Sequence, residues 1–406
     1  MKKIELLAPA GNMECLKTAV YFGADAIYMS GKSYGLRAFA DNFDGEQMHQ
    51  AVQYAHRYGK KVYITVNAVF RNQNLKGLEK YAQELESCGV DAVIVADPGV
   101  MQIIQKTVPK MEIHLSTQAN TTNYASANFW HGQGVKRIVL SREVTLEEIR
   151  EIRDKTPDTL DLEAFVHGAM CISYSGRCLL SSVTTGRSGN RGECAQPCRW
   201  KYYLHEKSYE GEYFPIYADD QGTYVLNSKD LMMIEHIDAL YEAGITSFKI
   251  EGRMKSPYYV ACVVDSYRRA IDAYEADPEG YVFDRTLLKD LEKCSTRQFT
   301  TGFYFGNPRE EAQDVKRDAL LNKHNFVAVV RAKAAEPGHL VVEQRNKFSV
   351  GDELEVLSPH MGKESFSVES IVNEQGENQE SAPHPQQIVT INCPYPLEEM
   401  DIIRKK

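Results

Sequence analysis

The chain has 406 residues, 47 basic against 56 acidic side chains and a formal net charge of −9, with 43% hydrophobic and 25% charged residues. That is the composition of an ordered globular protein with core enough for a large domain and a small one. No apolar run approaches the roughly twenty residues that a membrane helix needs, and the net acidic charge excludes nucleic-acid binding by bulk field, so any such site is local.

The first residues read as a strand, because Glu5, Pro9 and Gly11 cut the opening apolar run too short for a signal peptide, and the expected location is the cytoplasm. Strand-like runs then alternate with amphipathic ones. The expected strands are 5–8, 26–30, 62–67, 92–96, 112–118, 137–141, 162–167 and 247–251, and the expected helices include 13–22, 45–58, 75–87, 119–131, 146–153, 230–243 and 257–276. Three helices end at a glycine (Gly23, Gly89, Gly244) that leads directly into a strand, the pattern of repeated right-handed βαβ units. Eight such strands predict a closed (β/α)₈ TIM-like barrel over residues 1–315.

A doubly wound open sheet is the alternative, but its central strands would be apolar on both faces. Here one face is repeatedly polar: Tyr63, Thr65 and Asn67; His114, Ser116 and Gln118; Glu163 and His167; Lys249 and Glu251. A barrel with a polar interior toward its carboxyl-terminal mouth accounts for this.

After the seventh strand comes an insertion, residues 168–228, which holds four of the nine cysteines: Cys171, Cys178, Cys194 and Cys198. Gly168, Gly176, Gly186, Gly189 and Gly192 lie among them and suit a backbone folded tightly around something small. In a reducing compartment clustered thiols indicate a metal before disulfides, with plain packing as the bland alternative. Spacing leaves zinc and an iron–sulfur cluster both open, since zinc favours close pairs and only Cys194/Cys198 is one. The later part of the insertion, 202–224, is aromatic and turn-rich and reads as a hairpin or lid. Cys15, Cys88, Cys262, Cys294 and Cys393 sit at apolar positions expected of buried free thiols.

Beyond 321 the pattern changes to β-branched runs at 326–332, 340–343, 352–356, 366–372 and 387–391, which predict a small all-β, barrel-like domain over 321–406. Its nine basic and thirteen acidic residues give −4. This is no obvious RNA platform.

The chain lacks a His-Glu-x-x-His pair and a Gly-x-Ser-x-Gly elbow, and Gly31-Lys32-Ser33 misses a phosphate loop because Ala26 stands where its first glycine belongs. Polar residues at strand ends predict a pocket of Asn67, Gln118, Arg142, His167, Glu251 and Arg253, joined by Arg37 from the loop after strand two. The bland alternative is structural pairing, for instance Glu251 with Arg253. Residues 168–205 carry Arg177, Arg187, Arg191, Arg199 and Lys201 against Glu193, five minus one or +4. These cations either offset thiolate charge or contact phosphates, with Tyr174, Trp200, Tyr202 and Tyr203 available to stack on a base.

Glu163, Phe165, Gly168, Ala169, Met170, Cys171, Gly176, Cys178, Leu180 and Ser181 follow at the intervals of a known signature. By these residues the chain resembles the collagenase-like peptidase family (U32), with the short carboxy-terminal domain often attached to it. The resemblance implies an iron–sulfur protein of RNA modification. Members assist hydroxylation of a tRNA wobble uridine with prephenate, of a ribosomal RNA cytidine, or of ubiquinone precursors. It further implies a 4Fe-4S cluster on Cys171, Cys178, Cys194 and Cys198, the last being the ligand that the family does not always draw from this place. The partner it implies is tRNA, for which Arg187, Arg191, Arg199, Lys201 and Trp200 of the locally basic insertion are the candidate contacts, and the implied co-substrate is prephenate, whose carboxylates suit the planar fork of Arg37 or Arg253. Two other readings stand beside it: a peptidase built on His167 and a thiol, or a non-catalytic subunit that works with a homologous partner.

Overall fold

The computed structural model describes residues 3–36, 41–171, 173–174, 178, 180–189, 192–200, 228–307 and 326–406, and the backbone alone at 183, 199 and in four two-residue strands between 204 and 223. Eight parallel strands close on themselves: β1 (Glu5–Pro9), β2 (Ala26–Met29), β3 (Lys61–Val66), β4 (Ala92–Val95), β5 (Glu112–Leu115), β6 (Arg137–Val139), β7 (Asp161–Ala169) and, after an antiparallel strand β8 (Asp230–Met232), β9 (Ser247–Ile250). β9 pairs with both β1 and β7, and this double pairing closes the barrel.

The helices outside it are set by short polar signals. Asn12 caps α1 (Met13–Tyr21), Asp44 closes a capping box on α2 (Gly45–Arg57), and α3 (Leu78–Ser87) follows Gly77. Asp97 caps α4 (Pro98–Thr107), Asn123 caps α5 (Tyr124–Gly132), and Thr145 boxes α6 (Leu146–Asp154). α7 (Leu180–Thr185) lies in the insertion, α8 (Ile237–Glu242) precedes β9, and α9 (Pro257–Ala276) starts behind Ser256 with proline in its first turn. α10 (Thr286–Cys294) leads to β10 (Phe299–Thr300), which pairs parallel with β8. The expected helix over 230–243 is therefore corrected at its start, where Asp230–Met232 runs antiparallel to the end of β7 and extends the sheet beyond the barrel. The expected helix from 119 likewise begins only at Tyr124, because Thr117–Ala119 is a 3₁₀ turn that Ser116 caps.

Two layers of core result. The outer one lies between strands and helices, while inside the barrel a small apolar plug of Leu7, Ala26, Tyr28, Tyr63, Ala92 and Ile94 is buried. The rest of the lower interior is ionic. Arg137 donates to Glu163 at 3.3 Å and pairs closely with Glu5, Tyr63 Oη donates to Glu5 at 2.8 Å, and Lys249 Nζ donates to Glu163 at 2.7 Å. Burial alone would raise the Glu163 carboxyl, but Lys249 and Arg137 outweigh it and hold Glu163 below its ordinary range.

In the insertion, short antiparallel pairs join Leu204–His205 to Tyr213–Phe214 and Ala218–Asp219 to Gly222–Thr223, as a hairpin reading requires. The carboxy-terminal region is all-β. Its seven-stranded antiparallel sheet takes in Phe326–Lys333, His339–Gln344, Glu353–Leu357, Ser365–Ser367, Ile371–Asn373, Ile388–Asn392 and Ile402–Lys405. The expected run 366–372 is thus two strands, and the last strand was not anticipated. It carries Arg404, fully buried, onto Asp290 of α10 at 2.6 Å and onto Glu355 at 3.2 Å. The expected division between 315 and 321 falls outside the described residues. No helix among the described residues is long and apolar enough to cross a membrane.

Candidate functional site

At the carboxyl-terminal mouth of the barrel lies a cavity of about 300 Å³. Its walls include Thr65, Asn67, Ser116, Gln118, Arg142, Phe165, Lys249, Glu251 and Arg253, and all four insertion cysteines, Cys171, Cys178, Cys194 and Cys198, border it. Strand parity brings the polar residues there, since alternate residues of one strand share a face and the strand ends converge.

Individual side chains are held in place by neighbours. Asn67, just past β3, donates from Nδ2 to Ser116 Oγ at 3.1 Å, and Gln118 is buried beside it. Arg253 is 5% exposed and donates to Thr65 Oγ1 at 3.3 Å. Arg142 lies over the Phe165 ring, 3.9 Å from its centroid, and donates to Ala169 O at 3.2 Å and Glu251 Oε2 at 3.0 Å. Glu251 thus pairs with Arg142. Gly168, with φ of +107°, lets the chain pass beneath this pair, as a Cβ there would stand 2.4 Å from Glu251 O.

His167 is placed elsewhere. The partner of Lys249 across the barrel seam is Phe165, and the partner of Ile250 is His167, so Val166 is an extra residue that reverses the facing of His167. The imidazole consequently points away from the cavity and packs among Tyr259, Tyr267 and Phe299 with ring centroids 5.5–6.0 Å away. Burial, and secondarily Lys255, depress its pKa to about 3, so it stays neutral.

Among the remaining expected residues, Arg187 and Trp200 are exposed on the insertion, as is Tyr174. Arg37, Arg191 and Lys201 lie outside the described residues, and of Arg199 the backbone alone is described, in the turn Pro197–Arg199. Lys255 and Arg297 also border the cavity and were missed by sequence reasoning. Lys255 had a signal, since it follows Arg253 in the same strand-to-helix loop. Arg297 had none, because the pairing of β8 with β10 and its 3.1 Å bridge to Asp230 bring it in from far along the chain.

The donor chemistry of the cysteine wall fits an iron–sulfur group. Four cysteines, each a soft sulfur donor, border one cavity, and backbone N–H groups point at two of the sulfurs, from Leu180 to Cys178 Sγ at 3.3 Å and from Gln196 to Cys194 Sγ at 3.4 Å. Among the described residues no three His, Cys, Asp or Glu side chains are gathered tightly enough for a single metal ion.

Residues 11–314 match Peptidase family U32, and residues 322–404 match the Peptidase family U32 C-terminal domain. The chain is 42% identical over 404 residues to "tRNA hydroxylation protein P1" of Bacillus subtilis, covering 100% of this chain and 95% of that one. It is 37% identical over 439 residues to "tRNA hydroxylation protein P" of Escherichia coli, covering 98% and 95%. It is also 38% identical over 277 residues to "23S rRNA 5-hydroxycytidine C2501 synthase" of Escherichia coli, covering 67% of this chain and 40% of that one.

Proposed function

The chain belongs to peptidase family U32, and from that membership and its cavity we propose that it takes part in hydroxylation of RNA, specifically of carbon 5 of a tRNA wobble uridine with prephenate as co-substrate. The observation that carries the reading is the sharing of one cavity by four cysteines and a set of cationic and amide side chains. In this reading Cys171, Cys178, Cys194 and Cys198 hold a 4Fe-4S cluster. When bound, the cluster supplies one-electron transfer at the cavity mouth, because four thiolate ligands leave no open iron for water.

The chain's own residues do the rest. Arg253 offers its fork to a carboxylate, Asn67 and Gln118 offer amides to a ligand's carbonyl and N–H edges, and Phe165 forms an apolar wall. The exposed Trp200 and Tyr174 provide stacking faces for an unstacked base, and Arg187, Arg191, Arg199 and Lys201 contact phosphates. Nucleoside mass analysis of tRNA from cells blocked in prephenate synthesis, with and without the gene, tests this. A uridine carrying one extra oxygen should appear only when both the gene and supplied prephenate are present; its presence regardless of either overturns the reading.

A further inference from the structure

At the inner end of the cavity lies a cation that the pocket reading leaves without a task. Lys249, on β9, is 4% exposed and borders the cavity. Its ammonium donates to Glu163 at 2.7 Å and lies 4.5 Å from the centroid of Tyr28 and 5.5 Å from that of Phe165. Tyr28 spends its hydroxyl on Ile250 O at 2.9 Å. Glu163 is thus the acceptor that Nζ meets among the described residues, and an ammonium has three protons to give.

Glu163 in turn already has Arg137 and Ser247 Oγ, each at 3.3 Å. A lysine at the end of a strand, with aromatic rings at its sides and a cavity in front, has the surroundings of a ligand-binding cation. We propose that Lys249 is the floor anchor of the cavity, binding one carboxylate of a small organic dicarboxylate whose other carboxylate reaches Arg253 nearer the mouth. This rests on the cavity being a co-substrate site and adds the residue that fixes the ligand's depth and orientation.

The bland alternative is that Lys249 only neutralises Glu163, and a paired comparison separates the two. In Glu163→Gln the buried carboxylate is gone, so Glu163→Gln and Glu163→Gln/Lys249→Met differ in the ammonium and not in an ion pair. Calorimetric titration of the full chain with prephenate, phenylpyruvate and malonate should show the double variant binding about tenfold or more weakly than Glu163→Gln, the scale of a hydrogen bond to a charged group. Affinity for a tRNA anticodon stem-loop should be equal in the two. If Glu163→Gln does not fold, Lys249→Arg, which keeps a cation beside Glu163, should retain the binding that Lys249→Met loses.

Equal carboxylate affinity with and without the ammonium overturns the proposal while leaving the co-substrate reading standing. Binding of malonate but not prephenate, still dependent on Lys249, removes prephenate and keeps the anchor, whereas binding of the monocarboxylate phenylpyruvate alone overturns the two-carboxylate arrangement. Failure of the wild type to bind any of the three overturns the anchor too.

Discussion

Arg142 and Glu251 form an ion pair at 3.0 Å across the cavity wall, with side chains 11% and 16% exposed. Glu251 is the one carboxylate among the described residues bordering the cavity, and Arg142, Lys249, Arg253, Lys255 and Arg297 border it too. The pair cancels, as do Lys249 with Glu163 and Arg297 with Asp230, and the cavity offers Arg253 and Lys255 as further cations to an anionic ligand. Glu251→Ala strands the Arg142 cation and should destabilise the fold by about 3 kcal/mol in denaturant titration.

Arg253→Ala should instead act on the ligand. Loss of a charge-assisted contact predicts prephenate binding weaker by about 1.5–3 kcal/mol in calorimetry, with the iron content unchanged. Equal binding by the variant removes Arg253 from the site. Arg37→Ala is expected to behave in the same way.

The cysteine wall predicts that anaerobically purified protein is brown and carries about four irons per chain. Serine in place of Cys171, Cys178 or Cys194 should bleach it. One zinc per chain, with folding and activity unchanged in iron-free protein, would contradict the cluster.

RNA affinity should fall with salt, because the chain is net acidic and the cations proposed to contact phosphates lie in the insertion. Removing Arg187 and Arg199 together should flatten the slope of log affinity against log salt by about one to two units, with iron retained. Trp200→Ala should lower affinity for a single-stranded anticodon loop and leave that slope alone. An unchanged slope in the double variant assigns the basic edge to neutralising thiolate charge.

His167 gives a pH signature of stability. Its folded pKa of about 3 lies below the ordinary 6.5, so between these values the unfolded chain binds a proton that the folded chain refuses. Stability from this group is complete above pH 6.5 and falls as pH is lowered toward 3. His167→Phe removes the effect, and the stability difference between wild type and variant should change by about 1.4 kcal/mol per pH unit in that window. A catalytic imidazole would show itself as lost tRNA modification in this variant; the packing observed predicts that modification persists.

The eight strands were legible because alternation of polar and apolar residues survives in sequence, and α9 was legible to the residue because Ser256 and Pro257 mark its start. The same logic misplaced His167. Parity counting carries Glu163 and Phe165 inward correctly, but the bulge at Val166 is set by how β7 meets β9, which no local pattern records. Asp230–Met232 was read as helix for a related reason: Leu231 to Ile234 is an unbroken apolar run, and only its tertiary pairing with Gly168 and Ala169 decides for strand. The cysteines were legible as a group from their density and glycine context. That Asn67, Gln118, Arg142, Glu251 and Arg253 share a cavity with them was foreseeable from the barrel, whereas Arg297 needed the fold itself.

The central claim is most directly tested by mass analysis of nucleosides from bulk tRNA of a strain lacking the gene, complemented in turn with the wild type and with Cys178→Ser. Loss of the 5-hydroxyuridine-derived nucleosides on deletion, restored by the wild type and not by Cys178→Ser, is the predicted result. Undiminished levels in the deletion strain, or full restoration by the cysteine variant, would contradict it.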